Sequence, residues 1–197
     1  MKRPVSLLAA AAAVVFGAAL VQASVSVGQS APDFQVKDTS GKEQSLSSYK
    51  GKFVVLEWVN PDCPFVKKHY DSANMQATQK AAEAKGAVWL SVSTGSGGNA
   101  SELNAWVKEK GAKPTATLLD SDGKIGKAYG ARTTPHMYVI NPEGKLVYAG
   151  AIDNKPTANP ADVKGATNYV TAALGEAMSG KAVSKATSEP YGCSVKY

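Results

Sequence analysis

Cys63 and Cys193 are the only cysteines in the chain, so any thiol chemistry runs through one or both. Cys63 lies in Asn60-Pro61-Asp62-Cys63-Pro64, where a turn hands over to a helix that Pro64 suits as a first residue. A sulfur at a helix start faces free backbone N–H groups and the positive end of the helix dipole, and both favour thiolate over thiol. Glu57, between Leu56 and Trp58, is a carboxyl inside an apolar run. Held in a core its pKa rises and it could exchange protons near neutrality; on an edge strand it would be an ordinary exposed or ion-paired acid. Lys67 and Tyr70 follow Cys63 on one helical face, Lys67 as a source of positive potential or a solvated charge, Tyr70 as core packing.

These residues need a scaffold, and the pattern supplies one. Phe53 to Val59 is apolar and β-branched enough for a strand buried on both faces, and a long helix is predicted from Cys63 to Lys85-Gly86. Before it, Pro32 to Val36 forms a short strand closed by Ser40-Gly41-Lys42, and Leu46 to Tyr49 one helical turn. After it come a strand over 87–93, a Gly95–Gly98 loop, a helix capped by Asn99 or Ser101, a strand over 115–119 and a short helix through Tyr129. Strands over 136–140 and 146–148 flank a hairpin at Asn141-Pro142-Glu143-Gly144, and a last helix spans 161–178. This alternation predicts an α/β fold with a central mixed sheet covered on both faces.

Residues 1–23 carry two basic residues, an apolar run from Val5 to Leu20 and a small-residue end at Val21-Gln22-Ala23, the pattern of a signal peptide cleaved after Ala23. An uncleaved membrane anchor is the alternative, for which the run is short. Removal of the first 23 of 197 residues leaves 174, one domain's worth, and lowers the net charge from +6 to +4. With no block of like charges, nucleic acid is not expected as a partner, and contact with a membrane is expected only during export. The domain then covers 24–178 and a small, polar tail covers 179–197 in a periplasmic or secreted protein.

The opening Val27-Gly28-Gln29-Ser30-Ala31-Pro32-Asp33-Phe34, the Ser40-Gly41-Lys42 turn, Cys63-Pro64, Thr133-Thr134-Pro135 and Asn141-Pro142-Glu143-Gly144-Lys145 resemble the thioredoxin fold, and within it the redoxin or AhpC/TSA branch, including its peroxiredoxin-like bacterial members. The resemblance spans about Val27 to Tyr148 and implies a thioredoxin-like fold. It implies Cys63 as nucleophile, Pro135 as a cis-proline facing it, Glu57 as the buried acid that manages its proton, and a substrate pocket at Pro64, Thr134 and Pro135. The chain departs from the pattern at four positions. Val66 stands where thioredoxins have a second cysteine, and Leu56 and Asn60 stand in place of the Pro and Thr of the peroxiredoxin motif. The peroxide-orienting arginine aligns with Pro135, leaving Arg132, three residues earlier, to reach the same pocket or to lie on the surface. Asn60 can still donate a hydrogen bond.

Three roles are open to Cys193: resolving a Cys63 sulfenic acid, forming a structural disulfide, or pairing with another chain. A bridge to Cys63 would close a loop of 130 residues and constrain the unfolded chain by about 5 kcal/mol. Gly192 and the small residues upstream point to a mobile tail. The expected function is a thiol-based antioxidant oxidoreductase that reduces peroxides, without a cofactor, regenerated by an external thiol protein or small thiol. The alternatives are thiol–disulfide exchange, a non-catalytic binding groove around Pro135, and a copper site that would gather Cys63, His69, His136 and Cys193. For His69 a surface or half-buried place is the ordinary expectation, and no metal site is assigned.

Overall fold

The computed structural model describes residues 24–197; the expected signal peptide lies outside the described residues. Five strands make the central sheet: β3 (Val54–Trp58), β4 (Val88–Thr94), β5 (Ala116–Asp120), β7 (His136–Ile140) and β8 (Leu146–Gly150), in the order β5-β4-β3-β7-β8. Strands β3, β4 and β5 run parallel, while β7 and β8 are antiparallel to their neighbours. Strand β3 is central and every residue in it is buried, which is why it reads as an unbroken apolar run. A short hairpin of β1 (Gln35–Lys37) and β2 (Glu43–Ser45) precedes it, and β2 was not foreseen in the sequence.

Alternation along β3 divides the core in two. Val55 and Val59 face a cluster with Val66, Tyr70, Met75, Trp89, Val139, Val170 and Leu174, built on α1 (Pro64–Asp71), α2 (Asn74–Glu83), α3 (Ala100–Glu109) and α5 (Tyr169–Met178). Val54, Leu56 and Trp58 face the other cluster, with Leu90, Leu118, Tyr138 and the Ile125 and Tyr129 side chains of α4 (Lys124–Tyr129). Among the described residues no helix is long and apolar enough to cross a membrane.

The single long helix predicted after Cys63 is two helices. Its break falls at Ser72 and at Ala73, which takes a left-handed conformation (φ 58°) without the glycine or proline that would have announced it. The predicted last helix is shorter too. A 3-10 turn at Pro160–Val163 ends before Gly165 (φ 79°), and α5 starts afresh where Asn168 caps Thr171 N–H.

The tail corrects the expectation of mobility. Its residues run along β8, where Ala149 and Ser188 exchange backbone bonds with neighbours and Ser188 Oγ lies 2.7 Å from the Tyr148 hydroxyl. It then forms β9 (Cys193–Ser194) against β6 (Thr133–Thr134) and ends with the Tyr197 hydroxyl donating to Ala131 O at 2.7 Å. Gly192 is glycine for close approach: a Cβ there would stand 2.0 Å from Thr134 O.

Candidate active site

Cys63 is the N-cap of α1. Its carbonyl accepts the Val66 and Lys67 N–H groups at 3.0 and 2.9 Å, and Pro64 occupies the first helical position, where a missing N–H costs nothing. The turn before it is fixed by Asn60, whose carbonyl accepts Cys63 N–H at 3.0 Å and whose side-chain oxygen accepts Asp62 N–H at 2.9 Å. Asn60 therefore shapes the loop. Only 2% of Cys63 is exposed.

The sulfur faces the loop between β6 and β7, where the Thr134-Pro135 peptide is cis. As a thiol, Cys63 donates to Thr134 O at 2.9 Å. Thr134 Oγ1 is buried with no other partner, and the ionised sulfur is an acceptor within its reach. The tail reaches the same loop. Antiparallel pairing of β6 with β9 sets Thr134 opposite Cys193, so one residue, Thr134, touches both cysteines, which are unbonded here.

The electrostatics separate the two thiols. Burial pushes Cys63 up, but donors to its ionised form, namely the Cys193 side chain, Thr134, the Cys193 N–H and the Val66 N–H, outweigh it. Cys63 therefore ionises more readily than an ordinary cysteine. Cys193 is pushed up to about 11, by burial first and then by Cys63 beside it. Of the two, Cys63 is therefore the one that ionises first, and its thiolate then accepts a hydrogen bond from the neutral Cys193.

Glu57 is fully buried on β3 and removed from the sulfur. Its carboxylate accepts from Trp89 Nε1 (2.7 Å), Tyr70 Oη (2.8 Å), Ser91 Oγ (3.2 Å) and Gln79 Nε2 (3.4 Å), and burial outweighs these donors to raise its pKa. Through Tyr70 it touches the helix that begins at Cys63, and among the described residues no hydrogen bond joins the carboxyl to that sulfur. Arg132 does not join the pocket: its guanidinium pairs with Glu189 at 3.0 Å, both side chains largely in solvent. Its backbone carbonyl, which accepts Val195 N–H, is what serves the tail. Lys67 is exposed, Pro64 follows Cys63 as the first residue of α1, and Pro135 follows the Thr134 whose carbonyl the sulfur meets.

Both histidines are buried, against the surface or half-buried place expected for His69. His69 Nε2 meets the Tyr191 hydroxyl and its Nδ1 meets Asn74, while His136 Nδ1 meets Tyr138 and the Arg132 N–H. The four-residue copper set is thus dispersed, and among the described residues no three His, Cys, Asp or Glu side chains are grouped to hold a metal. Sequence reading missed the partner of His69: the half-buried Tyr191 of the tail, whose hydroxyl also meets the buried Lys68 and Asp153. The one trace of this cluster in the sequence is the adjacency of Lys68 and His69 to the inward positions Val66 and Tyr70.

Residues 27–149 match the AhpC/TSA family, and the chain belongs to that family. It is 33% identical over 124 residues to the thiol-disulfide oxidoreductase ResA of Bacillus subtilis, covering 63% of this chain and 66% of that protein. It is 30% identical over 115 residues to the peroxiredoxin Bcp of the same species, covering 54% and 64%. The chain thus spans just under two thirds of each of these relatives. Among solved structures, a hypothetical protein from Sinorhizobium meliloti superposes with a TM-score of 0.73 at 23% identity, covering 89% of this chain and 96% of that one. The thioredoxin domain of a thiol-disulfide oxidoreductase from Bacteroides vulgatus gives 0.56 at 23%, covering 72% and 98%. These superpositions establish the thioredoxin-like fold. The family match ends before the tail, so Cys193 lies outside it.

Proposed function

We propose that this protein is a thiol–disulfide oxidoreductase in which Cys63 attacks and Cys193, brought in by the tail, resolves. The observation that carries the reading is the β6–β9 register, which sets Cys193 against the same Thr134 that contacts the Cys63 sulfur. The similarity to ResA supports the same chemistry.

In the first step the Cys63 thiolate attacks one sulfur of a substrate disulfide, forming a mixed disulfide and expelling the other half as a thiolate. Cys193 then loses its proton and attacks the Cys63 sulfur, expelling the second half and leaving a Cys63–Cys193 disulfide. Two electrons and the Cys193 proton pass from the protein to the substrate, whose halves leave as one thiolate and one thiol. An external thiol reverses the bridge and restores the dithiol. The depressed Cys63 pKa suits the attacking role, and the raised Cys193 pKa keeps that sulfur protonated until it is needed.

Peroxide reduction is the second reading, favoured by the similarity to Bcp. There the thiolate takes an oxygen from the peroxide, releases water or an alcohol, and condenses as a sulfenic acid with Cys193. Against it stands the solvent-facing Arg132, which among the described residues leaves no guanidinium at the sulfur to polarise a peroxide. Export of the chain, with residues 1–23 as the signal, accords with a bridge that persists in an oxidising compartment. Sequencing of the exported protein then reads Ser24 first.

Rates of oxidation by a small aromatic disulfide and by hydrogen peroxide, measured on the same reduced protein, separate the two chemistries. Faster reaction with the disulfide supports exchange. A peroxide rate that exceeds it, with sulfenic acid trapped on Cys63 in Cys193→Ser, assigns the protein to the peroxidases.

A further inference from the structure

Beneath the tail lies a buried ionic cluster that neither the fold nor the first attack requires. Lys68 and Asp153 are 1% and 2% exposed, with Lys68 Nζ 3.7 Å from Asp153 Oδ2. Removing two such charges from water costs several kcal/mol per ion before their attraction is counted. Lys155, in the connection after β8, accepts from Lys68 Nζ through its carbonyl and donates its N–H to Asp153 Oδ1 at 2.9 Å, while Asp153 Oδ2 has no hydrogen-bond partner.

The tail adds a further partner to both charges and leaves Asp153 Oδ2 as it was. Tyr191 donates its hydroxyl proton to Asp153 Oδ1 at 2.5 Å and accepts from Lys68 Nζ at 3.3 Å. With His69 Nδ1 accepting from Asn74 Nδ2 at 2.9 Å, His69 Nε2 carries the proton and donates to the same hydroxyl at 3.0 Å. One tyrosine oxygen thus uses its donor and both its acceptor sites on three buried groups. Its ring packs edge-on against Phe65, centroids 5.9 Å apart, with Lys68 Nζ 5.2 Å from its centre. Lys68, His69 and Phe65 all belong to α1, whose N-cap is Cys63. Two residues beyond Tyr191, Cys193 pairs with Thr134, and Gly192 between them is pressed against Thr134 O.

We propose that Tyr191, clamped by Lys68, His69 and Asp153, is the positioning residue that holds Cys193 against Cys63 and so sets the strength of the bridge between them. The inference rests on the two-cysteine reading above. Tyr191 touches neither sulfur in that account. Its contribution is to raise the fraction of time the tail thiol spends within reach, which is the effective concentration that governs an intramolecular disulfide.

The test equilibrates the full chain with mixtures of reduced and oxidised glutathione and reads the Cys63–Cys193 equilibrium constant for wild type, Tyr191→Phe and Asp153→Asn. Tyr191→Phe keeps the ring packing and removes only the hydroxyl, whose bonds to charged groups correspond to a loss of tenfold or more in that constant. Tenfold is a shift of about 30 mV toward a more oxidising couple. The ratio of the two chemical steps is read in the same proteins: loss of positioning slows resolution relative to first attack, whereas general destabilisation slows both together. Amide exchange at Val195, whose N–H bonds to Arg132 O, should quicken in Tyr191→Phe. Asp153→Asn, which weakens the clamp without changing any residue of the tail, should lower the constant in the same direction. Unchanged equilibrium constants in both variants overturn the proposal and leave the two-cysteine mechanism standing. A wild-type protein that forms no Cys63–Cys193 bridge overturns the mechanism itself, and the proposal with it.

Discussion

Two buried carboxylates, Glu57 and Asp153, meet side chains of the helix that Cys63 caps, and they are buried differently. Glu57 lies mid-strand in the central sheet and receives only neutral donors, from Trp89, Tyr70, Ser91 and Gln79. Asp153 lies beyond the last sheet strand, faces the Lys68 ammonium and receives a hydroxyl from the tail. Elements of the scaffold would hold the Glu57 partners together without the carboxyl. The Asp153 cluster instead joins α1 to the connection after β8 and to the tail, segments with no common element. A buried acid among neutral donors is placed to keep a proton, and one opposite a cation is placed to keep a segment docked.

The largest effect expected from breaking this contrast is at Lys68. Lys68→Met leaves Asp153 buried without its cation and should cost about 3–5 kcal/mol in urea unfolding. Lys68→Met combined with Asp153→Leu should recover most of that loss. Equal instability of the single and double variants would show that the pair is not the source.

Acidity sharpens the comparison, because the two clusters respond with opposite sign. Burial, opposed by Asp153 and reinforced by Lys68, pulls His69 down to about 4 from 6.5. The folded state binds that proton less tightly than the unfolded one, so stability is full above the unfolded value and falls as pH drops from about 6.5 to 4, by about 3 kcal/mol. His136, lowered to about 3, adds a slope of the same sign. The difference between wild type and His69→Gln isolates the tail cluster, and a difference that does not vary with pH would contradict its burial as a neutral ring. Glu57 runs the other way. Its folded pKa lies above the unfolded value, so its contribution is full below the unfolded value and is lost as pH rises through the folded one. Glu57→Gln should therefore gain stability relative to wild type as pH is raised from 4 toward neutrality.

A smaller effect is expected at Tyr70. Tyr70→Phe removes one of four donors to Glu57 and should cost about 1–3 kcal/mol while leaving the Cys63–Cys193 equilibrium with glutathione unchanged. A shift in that equilibrium would tie the Glu57 cluster to the thiols after all. The smallest is at Arg132. Arg132→Ala breaks an exposed pair with Glu189 and should change stability by less than about 1 kcal/mol. A large loss of peroxide reactivity in this variant would return Arg132 to the pocket.

What the sequence revealed was what local pattern encodes. The unbroken apolar run of β3, the Cys63-Pro64 helix start and Thr134-Pro135 each announce themselves within a few residues, and together they specify the sheet and the loop facing the sulfur. Burial of Glu57 was one of two open readings, and only the sheet order, which makes β3 central, decides between them. The helix break at Ala73 carries neither glycine nor proline, and Asp71, Ser72 and Asn74 around it are its only marker. The tail was misread for a physical reason: small residues and Gly192 look mobile in isolation, but here small size permits contact with Thr134 and β8. Lys68, Asp153 and Tyr191 belong to three distant segments, so no window of sequence contains their pairing. Arg132 was placed by its offset from an expected position, and its backbone, three residues before the cis-proline, follows β6 while its side chain leaves toward Glu189.

The most direct test of the central claim follows the reduced protein after mixing with less than one equivalent of glutathione disulfide, with samples quenched in acid, alkylated and mapped by mass spectrometry. The account predicts a transient glutathione adduct on Cys63, its replacement by an intrachain Cys63–Cys193 bridge, and accumulation of the adduct in Cys193→Ser. A stable adduct on Cys63 of the wild-type protein with Cys193 still free, or first modification at Cys193, would contradict it.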